Sequence, residues 1–287
     1  MHPAQLTMNL RDRIVFVTGG ASGIGRALGD EAARRGAHVV LADLRSESAE
    51  AAARGIEGKG GSAEAVQLDV ADADAFRRCV DRVVERHGRI DYLFNNAGVG
   101  ITAEGRDTDM DAWRRIVDVN LMGVVHGVQA AYPHMIRQRS GHIANTACVA
   151  GLVPFPMTSA YSATKHAVVG LSASLRPEAA AHGVKVSVIC PGTVATEMFE
   201  HIEYIGVDKQ AVLSSIRRAT ITPRRCATAI LAGVARNKPV ITVSAHAKLA
   251  WWLYRFAPRT FLAITGRAFH LFRDRLRSPA PETPKDP

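Results

Sequence analysis

Residues 14–25 read Ile-Val-Phe-Val-Thr-Gly-Gly-Ala-Ser-Gly-Ile-Gly, an apolar run that breaks into a glycine turn and then a helical stretch. No other segment limits the fold as much. Ile14–Val17 is short and rich in β-branched residues, as suits a strand covered on both faces of a parallel sheet. Gly19 permits a sharp turn, and Gly23 and Gly25 remove side chains where a diphosphate and the following helix approach. The helix expected from Arg26 to Arg35 turns its unpaired N–H groups and partial positive charge toward that turn. A second strand, His38–Ala42, ends in Asp43, at a spacing that suits contact with adenosine ribose hydroxyls. Strand, glycines, helix, strand and terminal acid together specify a dinucleotide site.

The 287 residues, 47% hydrophobic and 22% charged, suffice for one core. No apolar stretch is long enough to span a membrane, and the N-terminus lacks an apolar secretory region. Cys79, Cys148, Cys190 and Cys226 are scattered, without pairs spaced for metal binding or disulfide exchange. They fit reduced thiols, so a cytoplasmic location and no metal site are expected.

Strand and helix signals alternate throughout, the pattern of an α/β protein with a parallel sheet. After the first two strands, further strands are expected at Ala63–Asp69, Ile90–Asn95, Gly141–Ala147, Val184–Cys190 and Val240–Ser244, giving seven. Helices are expected at Ala73–His87, Asp109–Arg137, Tyr161–His182 and from Pro223 to Arg236, with Pro177 kinking or ending the third. Thr193–Ile221 is mixed in character and reads as a mobile flap over a pocket. The proline-rich residues 278–287 read as a disordered end.

Tyr161 and Lys165 stand at i and i+4, on one helix face with adjacent side chains. An ammonium beside a phenol stabilises the phenolate, which is expected to lower the Tyr161 pKa toward neutrality. Tyr161 is thereby a candidate general acid/base for a carbonyl or alcohol.

These features resemble the short-chain dehydrogenase/reductase family in its single-domain form, over residues 10–245. Thr18-Gly19-Gly20-Ala21-Ser22-Gly23-Ile24-Gly25 is similar to the family's cofactor turn, and Asp69-Val70 to its adenine-contacting pair. Asn95-Asn96-Ala97-Gly98 matches the segment that stabilises the central sheet, and Tyr161-Ser162-Ala163-Thr164-Lys165 the active-site helix. Pro191-Gly192-Thr193-Val194-Ala195-Thr196 matches the segment that grips the nicotinamide carboxamide. Asn120 falls at the family's catalytic asparagine, which holds a water in a proton relay. The resemblance implies one doubly wound Rossmann-type domain over residues 1–245, hydride exchange between NAD(H) and a secondary alcohol or ketone, and a homodimer or homotetramer. The family's substrate-orienting serine is replaced here by Cys148, whose thiol is a weaker donor in a larger atom. Losing a good oxyanion donor costs about 2.7–4 kcal/mol, so the enzyme is slower, rescued by Thr146 or Ser159, or adapted to an unusual substrate. The rival reading is a catalytically weak NAD-binding redox sensor or membrane-associated scaffold.

Charge decides the two remaining questions. Asp43 accepts from a ribose 2′-OH and repels a 2′-phosphate, and Ser22 stands where phosphate-accepting members often carry a basic residue, so NAD is expected over NADP. Arg45 is the counter-signal. The net charge of +9 resides wholly beyond residue 223, where 12 Lys/Arg face 3 acids beside a cluster of aromatics. Residues 246–277 form a basic amphipathic extension in which Phe261, Leu262, Thr265, Phe269 and Phe272 share one face. Such a segment suits an anionic membrane surface, on its inner face, or packs on protein. No nucleic-acid-binding fold accompanies the charge. A lipophilic substrate (acyl, steroid or polyprenyl-like) fits such an extension.

Overall fold

The computed structural model describes residues 8–216 and 220–276; the expected disordered end lies outside them. In chain order the elements are β1 (Ile14–Thr18), α1 (Gly23–Arg34), β2 (His38–Asp43), α2 (Ser46–Glu57), β3 (Ser62–Gln67), α3 (Ala73–His87), β4 (Tyr92–Asn95) and β5 (Ile101–Ala103). They continue with α4 (Met110–Val117), α5 (Gly123–Gln138), β6 (Gly141–Thr146), α6 (Ser159–Ala180), β7 (Val184–Cys190), α7 (Met198–His201) and β8 (Glu203–Ile205). The last are α8 (Lys209–Ile216), α9 (Pro223–Ala235), β9 (Val240–Thr242), α10 (Ala245–Phe256) and α11 (Pro258–Leu276).

Seven strands form one parallel sheet in the order β3-β2-β1-β4-β6-β7-β9. The chain runs outward from β1 to β3, returns to β4 and runs outward the other way. That reversal opens a crevice at the carboxyl ends of β1 and β4, the position where doubly wound sheets bind ligands. Strand periodicity divides the core. Val15, Val17, Val39 and Leu41 pack with Leu28, Ile56 and Ile230 of α1, α2 and α9. Phe16, Val40 and Leu93 face Phe76, Val80, Met135 and Leu175 of α3, α5 and α6.

Three local features differ from the sequence expectations. The helix expected over Asp109–Arg137 is interrupted by a π turn, Asp118–Met122, between α4 and α5. Pro177 does not end its helix, because α6 continues to Ala180 and the proline falls in its last turn. The Thr193–Ile221 segment carries α7, β8 and α8, and its ends are tied by Ala195 N–H donating to Ile221 O and Ile221 N–H to Thr193 O. Its β8 pairs in parallel with β5, a small second sheet that strand-length patterning does not reveal.

A buried polar chain crosses the sheet. Asn95 Nδ2 on β4 donates to Asn145 Oδ1 on β6 at 2.9 Å, and Asn145 Nδ2 donates to Ser172 Oγ on α6 at 3.0 Å. Ser172 in turn donates to Val168 O at 2.7 Å. Asn145→Ala strands a donor and an acceptor at once, at about 1–3 kcal/mol each. Urea unfolding should therefore show a loss of about 2 kcal/mol or more. A loss below about 0.5 kcal/mol, within the range of ordinary surface substitutions, would mean that these groups find other partners.

Candidate active site

The glycine turn is shaped by contact as well as by conformation. Gly19 and Gly23 have φ of +62° and +54°, where side chains are strained. A Cβ on Gly25 would lie 2.1 Å from the Gly19 carbonyl oxygen, so no other residue fits there. Ser22 precedes α1 and its hydroxyl makes no capping bond. The first turn of α1 carries no acid, leaving its N–H groups and partial positive charge free for a diphosphate. Ile24, behind the turn, packs against the α1/α9 core.

At the end of β2, Asp43 is buried, and its Oδ2 accepts from Ala21 N–H at 3.0 Å while Oδ1 accepts from Arg45 N–H at 3.2 Å. The carboxylate thus binds the glycine turn to the tip of β2 and sits beside the Arg45 guanidinium, 3.8 Å away. Asp69 is exposed and its Oδ1 accepts from Ala71 N–H, turning the chain before α3. Val70 is buried, and a Cβ on Gly123 would come within 2.8 Å of it. An open turn with an acid beside it fits a dinucleotide, while Val70 is buried against Gly123.

Thr18 couples β1 to β4. Its Oγ1 accepts from Asn96 N–H at 2.9 Å and from Ala97 N–H at 3.0 Å, and Asn96 Nδ2 donates to Thr18 O at 3.0 Å. The loop then reaches Gly98, where a Cβ would meet Asn120 Oδ1 at 3.0 Å and Lys165 Nζ at 3.4 Å. Asn120 is fully buried in the π turn. Its Oδ1 accepts from Val99 N–H at 2.8 Å and its Nδ2 donates to Val99 O at 2.9 Å and to Thr164 Oγ1 at 3.4 Å. The side chain is therefore a clamp between the β4 loop and α6.

On α6, Lys165 is 3% exposed, donates to Thr146 O at 3.0 Å and lies 5.7 Å from the centre of the Tyr161 ring. Cys148 is, after burial itself, the neighbour that acts most on the Tyr161 phenol. Burial, reinforced by Cys148 and Cys190, pushes Tyr161 well above the ordinary phenol value. Burial also pulls Lys165 down to about 8. The expectation that the ammonium lowers the phenol toward neutrality is thus corrected: burial and the neighbouring Cys148 and Cys190 raise it. The remaining expected residues close the site. Pro191 O accepts from Val149 N–H, and Gly192 lies where a Cβ would meet Ser244 Oγ at 2.5 Å and His246 Nε2 at 2.7 Å. Val194 is buried, and Thr196 faces Gly23 across the turn and lines a cavity of about 400 Å³ with Phe199, Leu213 and Glu197.

Sequence reasoning missed Asn145 and Ser172, which fix α6 against the sheet. It also missed that Ser244 and His246, at the start of α10, abut the Gly192 segment. Neither pair carries a motif; only the β6–α6 and β9–α10 packing reveals them.

The Lys165 shift has a measurable sign. Its folded value near 8 lies below the unfolded value of about 10.4. The unfolded chain therefore binds more protons in that window, and stability rises with pH through it. Lys165→Met removes this slope. Its stability relative to the parent chain should fall by about 2.5 kcal/mol between pH 8 and pH 10.4, read from urea midpoints. A pH-independent difference would show that Lys165 is not desolvated.

Comparison with known proteins agrees with this geometry. The family model described as short chain dehydrogenase matches residues 13–204. A 3-oxoacyl-[acyl-carrier-protein] reductase of Thermotoga maritima is 34% identical over 195 residues, covering 68% of this chain and 79% of that protein. An uncharacterised oxidoreductase of Listeria monocytogenes is 35% identical over 228 residues, 78% of this chain and 90% of its own. Among solved structures, a short-chain dehydrogenase/reductase of Burkholderia phymatum in complex with NAD superposes with a TM-score of 0.79 at 26% identity, covering 96% of this chain and 99% of that one. A metagenomic short-chain oxidoreductase in complex with NADP gives 0.69 at 31% identity, over 82% and 98%. The chain belongs to the short-chain dehydrogenase/reductase family of NAD(P)-dependent oxidoreductases.

Proposed function

We propose that the protein interconverts a lipophilic secondary alcohol and its ketone with NAD(H), on a substrate drawn from an anionic membrane surface. The observation that carries the catalytic part is the convergence of Tyr161, Lys165 and Cys148 beside the glycine turn. The bound dinucleotide supplies or accepts the hydride. Tyr161 gives its proton to the carbonyl oxygen in reduction and takes it back in oxidation. Lys165, charged below about pH 8, offers donors to the ribose and positive charge to the developing phenolate. Asp43 supports NAD over NADP, because its carboxylate repels a 2′-phosphate. Steady-state turnover of a panel of hydrophobic ketones with NADH and with NADPH tests this reading. Tyr161→Phe should abolish turnover and leave NADH affinity within about threefold, a change below 1 kcal/mol. Substantial activity in that variant would favour the rival reading, a weakly catalytic NAD-binding sensor or scaffold.

Cys148 is the feature that favours the rival, and Tyr161, Lys165 and Asn120 oppose it. The Thr146 hydroxyl is buried and has no hydrogen-bond partner, beside the carbonyl that holds Lys165. That oxygen is shielded and shares the β6 face of Ala144, opposite the Asn145 face that bonds α6, so it serves a substrate oxygen only if the strand end moves, whereas Ser159 is exposed at the start of α6. Cys148→Ser should raise kcat on simple ketones about tenfold, or 1.4 kcal/mol. If Thr146 already supplies the donor, Cys148→Ser leaves kcat unchanged and Thr146→Val lowers it.

Support for the membrane partner comes from how the C-terminal helices divide their faces. Of the two outcomes open to this segment, Phe261 takes packing on protein: it is 6% exposed and packs with Leu152, Val153, Val168 and Tyr254. Outward apolar side chains occur on both helices, Leu262, Ile264, Leu271 and Phe272 on α11 and, on α10, Leu249, Trp252 and Phe256, which are 71%, 62% and 67% exposed at i, i+3 and i+7. Exposed Lys248, Arg255 and Arg259 flank the α10 residues, each worth about 1 kcal/mol at an anionic surface. No helix among the described residues is long and apolar enough to cross a bilayer. The same helices border the active site. Ser244 and His246 abut Gly192, Asp208 N–H donates to Leu276 O before α8, and Arg273 Nε pairs with Glu104 at 2.9 Å. Vesicles containing phosphatidylglycerol should sediment the full chain at low salt, and neutral vesicles should not. Trp252→Ser with Phe256→Ser should abolish sedimentation without loss of turnover on a water-soluble ketone. If the full chain ignores anionic vesicles, this face meets protein, and a concentration-dependent oligomer should dissociate in the same variant.

A further inference from the structure

We propose that His38, Glu64 and His87 bind a divalent transition-metal ion, with Zn²⁺ the best chemical match, at the end of the sheet opposite the dinucleotide crevice. No pattern in the sequence marks this site, because its ligands are spread over residues 38–87. The parallel sheet gathers them. His38 opens β2 and pairs in register with Ser62, the first residue of β3. Glu64 lies two residues further along β3, on the same face. His87 ends α3, which covers that face.

One nitrogen from each imidazole and one oxygen of Glu64 lie within 4.8 Å of one another. Glu64 Oε1 is 2.9 Å from His87 Nε2 and 3.5 Å from His38 Nε2. Ligands about 2.0–2.2 Å from a tetrahedral ion sit roughly 3.3 Å apart, and the two observed separations bracket that value. Two imidazoles and one carboxylate form a borderline donor set suited to Zn²⁺, with a fourth position left for water.

Two further observations point into this cluster. His38 Nε2 is shielded from solvent and has no hydrogen-bond partner, while Nδ1 of the same ring is fixed by Ser62 Oγ at 2.7 Å. The ring is therefore oriented from behind, as a metal-ligating histidine usually is, with its other nitrogen aimed at the carboxylate. An unsatisfied buried nitrogen is costly, and an ion removes that cost. Glu64 is held likewise: Oε2 accepts from Arg86 at 2.6 Å, which leaves Oε1 toward the two imidazoles. The Arg86 charge offsets that of the carboxylate, so the affinity belongs in the micromolar range. An ion here ties the edge strand β3 to β2 and to the end of α3. His38 and Asp43 stand at opposite ends of β2, about 16 Å apart at 3.3 Å per residue, so the role is structural and separate from hydride transfer.

Titration of the full chain with Zn²⁺ by calorimetry, and with Co²⁺ by visible absorption, tests the site. The expected result is one equivalent bound with micromolar Kd, tetrahedral Co²⁺ bands and a higher Tm in Zn²⁺. His87→Phe keeps a ring against His38, whose centre lies 4.4 Å from that of His87, and removes the ligand. It should weaken binding about tenfold or more, abolish the Zn²⁺-dependent rise in Tm and leave NADH turnover unchanged. Glu64→Gln should do the same, and the metal-free Tm of each variant shows whether it folds. Failure of the parent chain to bind either ion at millimolar concentration overturns the proposal. So does unchanged binding in both variants, which would place the ion on other histidines.

Discussion

The Thr18 hydroxyl accepts two backbone N–H groups from the loop after β4, and the Thr18 carbonyl accepts from the Asn96 amide. Both halves of the site depend on this lock. On one side of it the chain makes the glycine turn, where Gly25 lies against the Gly19 carbonyl with no room for a methyl group. On the other side it delivers Gly98 to Asn120 and Lys165. In a doubly wound sheet the loops after β1 and β4 diverge to opposite faces, so the crevice between them exists only if something fixes their separation. Three hydrogen bonds at the root of both loops fix it, while the space above stays open for the dinucleotide.

From that root α6 is placed by polar groups buried in the sheet. Asn95, Asn145 and Ser172 connect β4, β6 and α6, and Asn120 joins the β4 loop to Thr164 one residue before Lys165. Buried polar groups stabilise only when satisfied, and in return they define one register. Here the register sets where Tyr161 meets Cys148. The same burial has an electrostatic consequence: Lys165 falls to about 8 and Tyr161 rises. A raised pKa makes the phenol a weaker acid, so ionising Tyr161 calls for positive charge at the site.

The parts of this design that rest on local rules were legible in the sequence. The glycine turn, Asp43 at the tip of β2, the seven strands and the i, i+4 pairing of Tyr161 with Lys165 each follow from backbone geometry or periodicity. Features that depend on tertiary packing were not. The π turn carrying Asn120 adds one residue to a helical pattern that is otherwise unbroken, and a 3.6-residue period does not register the insertion. Strands β5 and β8 have three residues each, too short for alternation to be diagnostic. The sign of the Tyr161 shift required knowing the burial of its surroundings, whereas spacing shows only the nearby charge. Ligands from β2, β3 and α3 share no spacing until the sheet register aligns His38 with Ser62.

The C-terminal helices show why amphipathicity alone did not assign their partner. A helical wheel of residues 259–275 groups Phe261 with Leu262 and Phe272, yet Phe261 is buried while the other two are 49% and 50% exposed. The surface that receives Phe261 is built by Leu152, Val153 and Cys190, residues adjoining the active site, and Trp251 and Tyr254 of α10 pack on the same cluster. The extension is thus part of the wall behind the site as well as a candidate contact with lipid. Removing it whole would uncover that cluster and disturb Cys190 and Cys148 together, so a truncated chain could lose both membrane affinity and turnover for packing reasons alone. Substitutions on the outward positions of α10 separate these roles, because Leu249, Trp252 and Phe256 contribute nothing to the buried cluster. A face that large, left apolar between basic residues on a chain whose remainder is electrically neutral, is stable in water only at a cost that a partner surface would remove.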